Sequence, residues 1–201
     1  MMLIQQDPGG GSALAASGHQ GIRTSGHRAS GHEESYMAVT KKERDLLAAY
    51  AAVWPQPISR GADASTLTLT LEIHGFTPFC VRLLDGVAPT ITQALLARLP
   101  FEGHLIHSAW SGSGVRALEP MDLSDVTGHE NSTFFPVPGD LCYTVGHAEF
   151  TLFYGDASPA MASGRVRESV FGVIEDDLLS FQQACMLTRL SGLRAFILRF
   201  D

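Results

Sequence analysis

From Ser65 to Ile73 the chain alternates strictly, with Leu67, Leu69, Leu71 and Ile73 on one side and Thr66, Thr68, Thr70 and Glu72 on the other. That period of two is the signature of a strand with one face in a core. His74-Gly75-Phe76 reverses it, and Phe79, Val81 and Leu83 then alternate with Cys80, Arg82 and Leu84, so the two segments predict an antiparallel pair. Asp85-Gly86 ends the second strand. Pro89 follows at a position where a helix accepts proline, its first turn. Ile91, Leu95, Leu96 and Leu99 give this helix an apolar face, and Pro100 ends it. After a turn at Glu102-Gly103, a third strand puts Leu105, His107 and Ala109 on one face and His104, Ile106, Ser108 and Trp110 on the other.

The second half continues in short strands. Ser111-Gly112-Ser113-Gly114 is a hairpin turn rather than a phosphate-cradling loop, because Val115 to Leu118 beyond it patterns as a strand and not as a helix N-terminus. Residues 120–140 lack any period. Strands are predicted over Leu141 to Val145, Glu149 to Tyr154 and Val170 to Ile174, with a loop of small residues over 155–167. Glu175, Asp176 and Asp177 open a helix whose dipole they complement, with Leu178, Phe181, Cys185 and Met186 as its buried stripe. Ser191-Gly192 stops it, and Arg194 to Phe200 supplies a closing strand that would remove an open sheet edge. Upstream, Thr40-Lys41-Lys42-Glu43 has the form of a capping box. It starts a helix with Leu46, Leu47, Tyr50, Val53 and Trp54 on one face and Pro55 and Pro57 at its end. The expectation is a mainly β chain with two or three helices. It divides into a flexible low-complexity tail (1–36), an amphipathic helix with a linker (37–60) and a β domain (61–201).

Charge and composition narrow the partners. A net charge of −7 without any Lys/Arg cluster argues against nucleic acid, whose phosphates need a basic surface. Cys80, Cys142 and Cys185 each sit alone in an apolar segment and read as reduced core thiols. No stretch has the length of a membrane span or the form of a secretion signal, so the expected location is the cytoplasm, with Met1 or Met37 as the start. Three Ser-Gly-His repeats in the tail carry His19, His27 and His32, but their spacing matches no closed metal site. His104 and His107 fall on opposite faces of one strand. No metal or other cofactor is expected.

A strand ending in Asp85, a step to Pro89, an amphipathic helix and a strand carrying Ile106-His107 resemble the first half of a cyclophilin. Val170-Phe171-Gly172-Val173-Ile174-Glu175, followed by a helix, is similar to the Val-Phe-Gly-x-Val segment of that family's second half. Leu-Leu-Asp, Ala-Pro, Leu-Pro-Phe-Glu-Gly, Ile-His, Trp-Ser-Gly, Glu-Asn and Tyr-Gly, in this order, more closely resemble a bacterial family of cyclophilin-like proteins of unknown function. The resemblance covers residues 65–201 and implies a closed eight-stranded β-barrel with two helices; it implies no established reaction. Active cyclophilins carry an arginine directly after the histidine, and here Ser108 follows His107. A neutral hydroxyl lacks the fixed guanidinium fork that polarises a prolyl nitrogen, so prolyl isomerase activity is not expected.

What stands in that region is His107, Trp110, Ser111, Glu130, Asn131, Glu149 and Tyr154. Each has an ordinary structural role open to it: a hydrogen-bonded strand histidine, a packing indole, a capped turn. Gathered at the barrel mouth, an imidazole, a carboxylate, an amide and an aromatic surface would suit a small polar ligand such as an amide or a carboxylic acid. By analogy with cyclophilin-like barrels in amide-cleaving systems, a hydrolase-like enzyme is one alternative. A non-catalytic module that assembles with itself or another protein through the N-terminal helix is the other.

Overall fold

The computed structural model describes residues 40–53, 58–61 and 65–200. The expected tail, Trp54 and the prolines after it lie outside the described residues. Helix α1 (Lys41–Val53) starts directly after Thr40, as the capping box requires. Leu46 and Leu47 on it are exposed.

β1 (Thr68–Ile73) and β2 (Phe79–Leu83) form the predicted antiparallel pair, with Leu69 opposite Val81 and Leu71 opposite Phe79. Their inner residues are fully buried, and Cys80 points the other way. The expectation of a core thiol there is corrected: Cys80 occupies a solvent-side position of the alternation, whereas Cys142 and Cys185 are buried. Helix α2 (Pro89–Leu96) buries Ile91, Thr92, Ala94 and Leu95 and stops one turn before Pro100. Strand β3 (Phe101–His107) begins earlier than predicted. Glu102-Gly103 is no turn but pairs with Ile197 and Phe196. A Cβ at Gly103 would stand 2.1 Å from Glu119 Oε2, so the glycine makes room for that carboxylate, which accepts from His104 N at 2.7 Å.

β4 (Gly112–Ala117), β6 (Asp140–Thr144), β7 (Glu149–Ala157), β10 (Glu168–Val173) and β11 (Arg194–Arg199) complete the large strands. The short β5 (Ser132–Thr133) pairs with the start of β10. The hairpin between β3 and β4 exists, but it turns at residues 108–111, and Gly112 to Gly114 already belong to β4. In the large sheet the strand order is β2-β1-β11-β3-β4-β7-β6-β10-β5, and β10 also pairs with β2. All but β5 therefore close into an eight-stranded antiparallel barrel.

Phe150, Phe171 and Phe196 fill the barrel with Phe101 at their edge, in ring contacts of 5.4–6.0 Å. Helix α3 (Leu178–Ser191) adds Phe181, Ala184 and Cys185 to this core and contacts β3, β4 and β7. Asp177 caps it, accepting from Ser180 N, and Gly192 at φ 94° ends it. Met186, expected in the buried stripe, is exposed, and Thr188 takes the buried position in its place. The loop after β7 holds a separate hairpin, β8 (Ala160–Met161) with β9 (Gly164–Arg165).

Candidate functional site

Because side chains alternate across a strand, register decides which residues share a face. Ile106, Arg116, Thr151, Cys142 and Val170 are successive partners across β3, β4, β7, β6 and β10, and they share the outer face of the barrel. Part of that outer wall is covered: Cys142, Phe153, Val170 and Val173 pack beneath Ile58. Beside it the wall lies under the β8–β9 hairpin, and between them is a cavity of about 530 Å³, within the roughly 300–1,000 Å³ of small-molecule sites.

Ile106, Arg116, Glu149, Thr151 and Glu168 form its floor. Pro159, Ala160, Met161 and Val166 of the hairpin form its roof. The hairpin is held by the Ser158 N–H donating to Ser111 O at 3.2 Å, with Arg165 and Arg167 over the rings of Phe135 and Phe134. Arg116 Nε meets Glu149 Oε1 at 3.2 Å. Glu168 is buried, and its Oε2 accepts a bond from Thr144 Oγ1 at 2.8 Å. Burial first, with repulsion from Glu149, pushes its carboxyl up to about 7, against the opposing pull of the Thr144 bond. A carboxyl that holds its proton near neutrality can donate a hydrogen bond as well as accept one.

Of the seven residues singled out in the sequence, His107, Trp110, Ser111 and Glu149 border this cavity. Trp110 is exposed at the rim. Ser111 Oγ accepts from Ser108 Oγ at 3.0 Å, tying the turn across itself. His107 shares the inner face with Leu105, and its ring meets Tyr154 edge-on at 6.3 Å. Burial and the charge of Arg189 lower its pKa, so the imidazole is neutral at pH 7. Neither His107 Nε2 nor the Tyr154 hydroxyl finds a partner among the described residues. Burial raises the Tyr154 phenol, and Arg189 opposes this from outside ordinary hydrogen-bond geometry.

Glu130, Asn131 and Tyr154 are absent from the cavity wall. Glu130 caps α2, accepting from Thr90 N at 3.2 Å and Ile91 N at 3.0 Å. Asn131, at φ 41°, accepts from Ser59 N and donates to the Ser59 and Val170 carbonyls, pinning residues 58–61 to the outer wall. Bidentate Arg60 to buried Asp140, at 2.7 and 2.5 Å, pins the same segment. Tyr154 belongs to the interior core. Sequence reasoning missed Glu168, Arg116 and the roof hairpin. The available signal was Glu168-Ser169 directly ahead of Val170-Phe171-Gly172, a charge at the head of a strand that is buried throughout.

Residues 69–200 match the family described as a protein of unknown function, DUF3830. The chain belongs to that family. The matched span holds the whole DUF3830 barrel except the first residue of β1. No curated protein matches the chain. Among solved structures, McbB in complex with tryptophan is similar at a TM-score of 0.52 and 14% identity, over 66% of this chain and 44% of McbB. The chain thus spans less than half the length of McbB, and the likeness is one of fold. The solution structure of the hypothetical protein AF2241 from Archaeoglobus fulgidus aligns at a TM-score of 0.45 and 18% identity, over 67% of this chain and 95% of that one.

Proposed function

We propose that this DUF3830 protein binds a small polar ligand, of the amide or carboxylic acid class, in the cavity on the outer wall of its barrel. The observation that carries this reading is the buried Glu168 carboxyl opening onto a half-open cavity of ligand size, beside the Arg116–Glu149 pair. Titratable groups with displaced pKa values cluster at functional sites, where burial and neighbouring groups tune them for binding or catalysis. Apolar groups from Ile106, Met161 and Val166 would take the hydrocarbon part of a ligand. Polar and apolar walls together are what a small-molecule site requires.

A thermal-shift screen of small amides and acids tests this directly. Compounds that raise the melting temperature of the wild type should lose their effect in Ala160→Trp, which fills the cavity from its roof, while the unliganded variant melts as before. Equal stabilisation of both proteins would place the ligand elsewhere and reject the reading.

The barrel, its two packed helices and the Ile106-His107 strand also support a cyclophilin-like relationship. In that frame Ser108 stands at the position of the isomerase arginine, and its hydroxyl is buried in a bond to Ser111. A proline-containing test peptide, which isomerises over tens of seconds or longer unaided, should interconvert no faster with the protein present. Enzyme-dependent acceleration would contradict this.

One observation favours assembly as a second reading. Helix α3 exposes Leu179, Met186, Leu187 and Leu190, with Leu193 just beyond it. An apolar helix face of this kind is suited to a protein partner or a second copy. A concentration-dependent sedimentation coefficient, lost in Leu187→Glu combined with Leu190→Glu, is the expected outcome; a monomer at all concentrations would oppose it.

A further inference from the structure

We infer that the outer-wall cavity takes a neutral carboxamide, whose carbonyl oxygen accepts a hydrogen bond from Glu168 and whose N–H donates to Glu149. The inference rests on the ligand-site reading above and names its ligand class. Glu168 makes one side-chain hydrogen bond among the described residues, from Thr144 to Oε2, so its other oxygen is free to meet a ligand. Glu149, also on the floor, is held by Arg116 and keeps further acceptor capacity. The site therefore offers a donor when Glu168 is protonated and an acceptor beside it.

Charge selects among the polar ligands that could answer this pair. A carboxylate would bring a third acidic group beside Glu149 and Glu168, and the arginine on the floor is already engaged. An ammonium would require Glu168 to ionise where burial opposes it, and would approach Arg116. An amide supplies one strong acceptor and at least one donor without adding net charge. Two carboxyl groups and one guanidinium are then satisfied with no new ion desolvated.

Several titratable groups face Glu168. Glu149 comes from β7, Arg116 from β4 and Cys142 from β6; Glu119 and His147 stand at the cavity edge; Arg167 and His129 lie beside the start of β10. Because other titratable groups stand this near, assignment to Glu168 needs its own variant. Glutamine at this position donates the same bond at every pH.

Benzamide, benzoate and benzylamine share a ring and differ in the group of interest, so their binding measured by ligand-observed NMR at about pH 5.5 and about pH 8.5 is the test. Benzamide should bind most tightly, and roughly thirty-fold more weakly at the higher pH, as the protonated fraction of a group near 7 falls. In Glu168→Gln the two pH values should agree within about threefold. Tighter binding of benzoate or benzylamine by the wild type, which needs no variant to fold, would overturn the amide inference and leave a ligand site standing. So would a benzamide pH dependence that persists in Glu168→Gln. Binding of none of the three would overturn the ligand-site reading itself.

Discussion

Glu168 is the residue on which the proposed binding turns, and its energetics have a definite sign. Its folded pKa of about 7 lies above the value of about 4.3 of an unfolded carboxyl. The folded state therefore binds the proton more tightly than the unfolded chain. The stability this confers is complete below the unfolded pKa and is lost as pH rises through 7. Glu168→Gln should consequently gain on the wild type as pH rises from about 4 to about 7, by up to roughly 3 kcal/mol. Denaturant unfolding of both proteins across that range checks this, and parallel curves would mean that the carboxyl is not displaced. Gly112 is the second sensitive residue: it sits at φ 78°, and a Cβ there would meet the backbone oxygen of Asp156 at 2.8 Å. Gly112→Ala should cost about 1–2 kcal/mol or more. It should also weaken binding, because the turn carrying Trp110 and Ser111 enters β4 there. Single residues were legible where their chemistry is local. Glu149 and Ser111 border the cavity, but nothing near Glu168 in the chain announces Thr144 or Glu149 as its neighbours, and burial by distant strands sets its proton affinity.

At the level of elements, alternation and punctuation located most of the strands and all three helices. Alternation with β-branched residues gave β1, proline marked the start of α2, and Asp177 and Gly192 bound α3. The departures from expectation share one physical cause. Glu102-Gly103 looks like a turn in isolation, yet it is a strand whose glycine admits the Glu119 carboxylate from sixteen residues downstream of Gly103. Glu130 looked like a ligand-site carboxylate and is the cap of α2, forty residues upstream at Thr90. Glu130→Ala should lower stability by about 1 kcal/mol, the usual cost of losing a cap. It should leave benzamide affinity unchanged, and a large loss of affinity in a folded variant would return Glu130 to the site. The β8–β9 hairpin escaped notice because two-residue strands carry too little pattern to register.

For the whole molecule, closure of the barrel was what the cyclophilin resemblance implied, and the apolar last strand agrees with it, since β11 joins β1 to β3. The position of the cavity did not follow. A mouth was expected, and the cavity lies on the outer wall, because the register that sets Arg116 opposite Thr151 is fixed by pairing between distant segments. The central claim is that a small ligand occupies that wall beneath the hairpin. Amide chemical-shift mapping of the full chain titrated with benzamide tests it most directly. The account predicts the largest shifts at the Trp110 indole N–H and at the backbone amides of Glu149, Thr151, Met161 and Glu168, with Thr90, Ile91 and Asn131 unmoved. Shifts centred on Glu130 and Asn131, or on the exposed face of α3, would contradict it.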